Sequence, residues 1–257
     1  MSGRYIPSHD VTVGLLRRGR DVVRQVLRTV APEQSTHDAI ALQLHARTVR
    51  VFEAVCILLT QNLPEEALFL GRSLFEDALR LEEIAESGDA RAELLLGWAN
   101  DSISEKIGLI RAAVVAGLER DSTTMLANLE RDRKQLSAYQ RRNGVDRLRR
   151  FRQVRDAALR YDRAHGLWTY LLAYEAVHGS DAYFAFLRTK QSVDTITLDM
   201  RTTDSDVVFG AAAFCIRSAM QATKATAAIF GLQLAEDPDV LCREVMELEL
   251  ATAATNA

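Results

Sequence analysis

Asn62-Leu63-Pro64-Glu65-Glu66-Ala67-Leu68-Phe69-Leu70-Gly71-Arg72-Ser73-Leu74-Phe75-Glu76-Asp77-Ala78-Leu79 opens as helices open. Asn62 is a capping candidate, Pro64 falls in the first turn, and Glu65 and Glu66 sit near the positive end of the helix dipole. At 100° per residue Leu68, Leu70, Leu74, Phe75, Ala78 and Leu79 share one wide apolar arc. Arg72 lies at the edge of that arc, with Glu76 one turn on beside it. The helix runs to about Glu86 and breaks at Ser87-Gly88-Asp89.

The same periodicity extends in both directions. Val11 to Val30 reads as a helix closed by Pro32, and Ser35-Thr36 caps a second that reaches Gln61. Beyond Gly88, helices are predicted over Ala90–Leu118, from Asp121 to Arg142, and over Leu167–His178 ending at Gly179. Asp204-Ser205 opens a helix of small residues (Gly210, Ala211 to Ala213, Ala225 to Ala228), which predicts close approach to its neighbours and a central, buried place. A last helix starts at Pro238. The stretch 192–201, rich in Thr, Val and Ile, is the one non-helical insertion, a short hairpin or an ordered loop. Leu148, Phe151, Val154 and Ala158 form a narrow apolar stripe after Val145. No internal repeat, low-complexity linker or domain boundary is visible. The expectation is an all-α fold, one bundle-like helical domain over 1–257 with seven to nine helices.

Charge is unevenly placed. The chain carries a formal net −3, yet Arg131 to Arg163 holds twelve basic residues against four acids, leaving −11 for the remainder. Glu65 to Glu93 is the acidic counterpart, with nine acids and three Arg. Such segregation predicts a polyanion or an acidic partner surface to be met. Arg141, Arg142, Arg147, Arg149, Arg150 and Arg152 are the candidate nucleic-acid-binding group. Alternatively, the acidic segment faces the basic segment of another copy. A homo-oligomer or partner protein is therefore expected, with RNA as the other partner class.

Other chemistry is weakly signalled. Cys56, Cys215 and Cys242 are dispersed and flanked by apolar residues, which predicts buried thiols rather than disulfides or a zinc cage. Glu175 and His178 have Glu-x-x-His spacing, but a di-iron bundle needs a second such pair, and the chain has none. No Gly-rich phosphate loop, Gly-x-Ser-x-Gly or His-Glu-x-x-His occurs. Neither metal nor cofactor is expected. No apolar run is long enough to span a membrane, and the N-terminus has no signal-peptide pattern, so a cytoplasmic protein is expected. His178 closes an apolar helix, where the dipole favours imidazolium, with Tyr174 one turn earlier. His45 reads as a satisfied residue at the core edge.

Glu65-Glu66-Ala67 through Arg72-Ser73-Leu74-Phe75-Glu76, followed by Tyr174-x-x-x-His178-Gly179-Ser180, resembles a bacterial group known as domain of unknown function 5677. The resemblance covers roughly Ala39 to Phe230. It implies that Arg72, Glu76 and His178 share one site, with Tyr174 nearby, as candidate catalytic residues. A looser analogy is to HEPN proteins, small helical domains that include ribonucleases of phage-defence systems. Their Arg-x4–6-His spacing falls here at Arg160 and His165, and no Arg stands at that distance before His178. The analogy implies a metal-independent ribonuclease; the residues themselves equally allow a helical interaction or regulatory protein of a defence or stress system.

Overall fold

The computed structural model describes residues 6–30, 36–115, 122–142, 144–145, 148–177, 189–191, 196–198 and 205–254. Nine α-helices are found among them. In chain order they are α1 (His9–Thr29), α2 (Thr36–Thr60), α3 (Pro64–Ser87), α4 (Arg91–Val115) and α5 (Ser122–Arg142). There follow α6 (Val154–Arg160), α7 (Ala164–Val177), α8 (Ser205–Phe230) and α9 (Pro238–Ala254). A single 3-10 turn, Gly88–Ala90, joins α3 to α4. The fold is all-α. The hairpin alternative holds for the insertion: β1 (Thr189–Gln191) pairs antiparallel with β2 (Ile196–Leu198), Lys190 opposite Thr197. The pairing begins three residues before the expected stretch, and residues 192–195 and 199–201 of that stretch lie outside the described residues.

The small-residue helix α8 is central. It packs on α1, α2, α3 and α9, burying Ala211, Ala212, Ala213, Phe214, Cys215, Ile216 and Met220. It comes close to α3 at Gly71, where a Cβ would stand 2.7 Å from Cys215 Sγ. Phe75 fills the space beside it, 5.6 Å from the Phe214 ring and 5.6 Å from the Tyr170 ring. A second apolar group, with Leu44, Leu81, Ile84, Leu94 and Leu95, closes the α2–α3–α4 end. Burial of this kind, at about 25 cal/mol per Å² of apolar surface, is the main favourable term in such a bundle.

His45 is buried completely, further inside than its expected place at the core edge. Its Nε2 lies 2.9 Å from the Val23 carbonyl and its Nδ1 3.1 Å from Thr226 Oγ1. A carbonyl only accepts, so Nε2 carries the proton, and Nδ1 shares the single Thr226 hydroxyl proton with the Ala222 carbonyl, 2.7 Å from Oγ1. Burial pushes the pKa down to about 4. The neutral ring thus ties α1, α2 and α8 together. The three thiols are free, Cys215 buried and Cys56 and Cys242 half-buried; burial pushes Cys56 up to about 12 and Cys242 up to about 11.

Two local expectations are corrected. Asn62 does not cap α3. It takes a left-handed φ of 56° and closes α2, with Asn62 and Leu63 amides returning to Leu59 and Leu58 carbonyls. Asn tolerates that conformation better than most residues. The cap position of α3 is Leu63, which makes no side-chain bond. The stripe after Val145 is not a helix up to Val154: residues 148–153 run without helical structure. Tertiary contacts hold them there. The Arg149 amide donates to the Glu93 carbonyl at 3.2 Å, and the Arg149 carbonyl lies so near Gly97 that a Cβ would be 1.9 Å away.

Helix α5 has α4 as its main packing partner. The two form an arm whose outer residues are exposed, Leu109, Val115 and Met125 among them. None of the described helices is long and apolar enough to cross a membrane.

Candidate functional site

Helices α3 and α7 run antiparallel, and contacts from α7 and from the residues just ahead of it follow that order along α3. Arg160 and Arg152 meet Glu86, Arg163 meets Glu82 at 2.6 Å, and Tyr170 meets Glu76 at 3.1 Å. Between these pairs Gly166 faces Phe75, where a Cβ would be 2.7 Å from the ring edge. A glycine here lets the start of α7 lie flat on α3. The acidic face of α3 is therefore met by basic residues of its own chain.

Arg72, Glu76 and Tyr170 form one cluster. Arg72 Nε donates to Glu76 Oε1 at 3.2 Å, and its guanidinium carbon lies 5.3 Å from the centre of the Tyr170 ring. The Tyr170 hydroxyl donates to the same Oε1, while Arg80 donates to Oε2 at 3.2 Å. One carboxylate thus receives three donors from two helices, with Arg72 and Glu76 about one-fifth exposed. Burial, then the charge of Glu76, pushes the Tyr170 pKa up. Behind the cluster, Asp77 is fully buried between Arg80 (3.3 Å) and Arg47 (3.4 Å). Burial, reinforced by Glu76, raises its pKa to about 6 against the opposing pull of the two Arg.

Beside Glu76 opens a cavity of about 350 Å³ between α3, α4 and the 148–154 segment. Trp98 and Phe151 meet edge-to-face at 6.3 Å in its wall. Glu83, almost wholly buried, accepts from the Arg152 amide at 2.9 Å and its guanidinium at 3.1 Å. Arg152 also reaches Glu86 and the Tyr161 hydroxyl. At the mouth, Arg150 pairs with Asp101 at 3.0 Å while 83% exposed. The cavity is of small-molecule size.

The expected residues separate into groups. Arg72 and Glu76 are together. Tyr174 lies one turn beyond Tyr170 on α7, its side chain outside the described residues, and His178 follows the last residue of α7 and is also outside them. Arg141 and Arg142 are exposed at the end of α5, and Arg150 at the cavity mouth. Arg149 is half-buried, Arg152 is tied into the acidic face, and Arg147 is outside the described residues. Sequence reading missed Tyr170, Arg80, Asp77 and Arg47. Arg72, Glu76 and Arg80 stand at i, i+4 and i+8 with alternating sign, a pattern that was available; Tyr170 needed the register of α7 on α3.

A family model described as a family of unknown function, DUF5677, matches residues 38–193, more than half of the chain. The chain belongs to this family. The DUF5677 span takes in Arg72, Glu76, Tyr170, Tyr174 and His178, and it ends before α8, short of the expected limit at Phe230. No curated protein and no solved structure matches the chain.

Proposed function

We propose that this DUF5677 protein is a helical interaction or regulatory protein of the cytoplasm, one helical domain that works by docking a second copy of itself in a defence or stress system. The observation that carries this reading is the α4–α5 arm. Helix α5 is about 30 Å long and rests mainly on α4, exposing Arg131, Arg133, Lys134, Arg141 and Arg142. Arg152, Arg160 and Arg163, nearer α3, already have acidic partners in the same chain, whereas the basic residues of α5 face outward. Helix α9 offers a mainly apolar counterpart, with Val240, Met246 and Leu250 exposed beside Glu247, while its Asp239, Glu244 and Glu249 already pair with Lys224, Arg18 and Arg217 of the same chain. On this reading Arg72, Glu76 and Tyr170 fix helix register. The test is sedimentation of the wild type and of a variant with Arg131, Arg133 and Lys134 changed to Glu. A salt-sensitive dimer that the variant loses supports it; a monomeric wild type at high protein concentration and low salt overturns it.

A metal-independent, HEPN-like ribonuclease is the second reading, favoured by the Arg72–Glu76–Tyr170 cluster. The antiparallel course of α7 carries its C-terminal end toward the Pro64 end of α3, the side on which Arg72 lies. In this chemistry Arg72 would hold a phosphate, His178 would move the proton and Tyr174 would assist, with Arg141, Arg142 and Arg150 retaining the RNA backbone. Cleavage of tRNA or mRNA by the wild type, lost in a folded His178→Ala variant, would replace the first reading with this one.

A further inference from the structure

We propose that a second cavity, between the start of α7, α8 and α9, is a binding site for the phosphate group of a small phosphate monoester. This cavity of about 420 Å³ is separate from the Arg72 cluster, and it shares Met246 with the α9 face of the docking reading. Arg163, His165, Arg217, Gln221 and Arg243 converge on it, with Asp237 and Asp239 at its wall.

The donors there outnumber the acceptors left to receive them. Arg163 gives one amino group to Glu82 at 2.6 Å; its Nε is enclosed by protein, so only its remaining amino hydrogens are left for the cavity. Arg217 gives one amino group to Glu249 and keeps four further N–H donors. Arg243 is exposed. The two aspartates are each partly engaged: Asp237 Oδ1 accepts from the Asp239 amide at 2.9 Å, and Asp239 Oδ2 pairs with Lys224 at 2.5 Å. The positive field is visible in His165, whose pKa is pushed down by burial and then by Arg217 and Arg163. An oxyanion supplies several acceptors at once to guanidinium donors that the neighbouring carboxylates leave unmatched. Arg guanidinium groups match phosphate oxygens in pairs. The volume exceeds that of a lone ion, and Cys242 and Met246 give one apolar wall for the body of the ligand. The Arg-x4-His spacing at Arg160 and His165 does not form one centre: Arg160 is held by Glu86, and His165 faces this cavity beside Arg163.

The experiment is calorimetric titration of the full chain with inorganic phosphate and, separately, with ribose 5-phosphate, against sodium chloride of equal ionic strength. Saturable heat with both phosphates, tighter for the ester, is expected. Arg243→Gln, an exposed change, should weaken both at least tenfold, whereas Arg28→Gln, an exposed change in the last turn of α1, should change neither. Saturation by inorganic phosphate alone would reduce the site to one for the free ion and overturn the ester assignment. No saturable heat, or equal binding by Arg243→Gln, would overturn the site itself. A melting temperature raised by phosphate in the wild type but not in Arg243→Gln is the second measurement, and an equal rise in both counts against the site.

Discussion

The Tyr170 hydroxyl donates to Glu76 Oε1 at 3.1 Å, and through this bond α7 is registered against the middle of α3. The same oxygen takes Arg72 Nε, whose guanidinium lies over the Tyr170 ring. Removing any one member therefore disturbs the other two.

Tyr170→Phe keeps the ring and loses the hydroxyl, and should cost about 1 kcal/mol of unfolding free energy in urea melts. Arg72→Ala loses both the ion pair and the ring contact. In a double-mutant cycle the two changes should couple by about 0.5–1 kcal/mol. Additivity would mean that the cluster does not act as a unit.

Gly97→Ala should be among the most damaging single-methyl changes. The added carbon would meet the backbone carbonyl of Arg149 at 1.9 Å, and a backbone atom cannot rotate aside. A loss of about 2–3 kcal/mol is expected, with faster proteolysis within 148–153 as that segment is displaced. Gly71→Ala meets a side chain instead, Cys215 Sγ at 2.7 Å, so Cys215→Ala should recover part of its stability.

Arg152 and Arg150 are two residues apart and should differ sharply. Arg152→Ala leaves Glu83, only 4% exposed, without its guanidinium partner and should cost about 2 kcal/mol. Arg150→Ala removes an exposed bridge to Asp101 and should stay within about 0.5 kcal/mol. Chemical denaturation of the two variants side by side checks the ordering.

Acid should act on two buried groups in opposite senses. His45 is held neutral, at about 4 against an ordinary 6.5. The unfolded chain takes up this proton first, so the stability it contributes is complete above 6.5 and is lost as pH falls toward 4. The loss is on the order of 3 kcal/mol at most. Asp77, raised from 3.8 to about 6, binds its proton first in the folded chain, so protonation stabilises as pH falls from 6 toward 3.8. His45→Gln should flatten the acid-side loss of stability, and Asp77→Asn should steepen it. Denaturation midpoints across that window decide both signs.

Much of the site was legible because it lies along one helix. Arg72 and Glu76 follow from spacing alone, Arg80 repeats that spacing one turn on but was missed, and the apolar arc of α3 predicts which face meets the core. The alanine-rich composition of α8 likewise announced a central helix, because small side chains permit close packing. Asn62 was misread because Asn suits both an N-cap and a left-handed C-terminal position, and the local sequence allows either.

The amino-acid sequence alone determined the helices, their approximate ends, the family and the segregation of charge, all properties of neighbouring residues along the chain. Tertiary structure decided where that charge goes. Glu82, Glu83 and Glu86 meet Arg163, Arg152 and Arg160 of their own chain, and Tyr170 rather than a closer residue completes the Glu76 cluster. These pairings depend on the register of α7 on α3, set by the close approach at Gly166 and by which face each helix buries. Residues some eighty positions apart acquire a fixed separation only when both helices have packed.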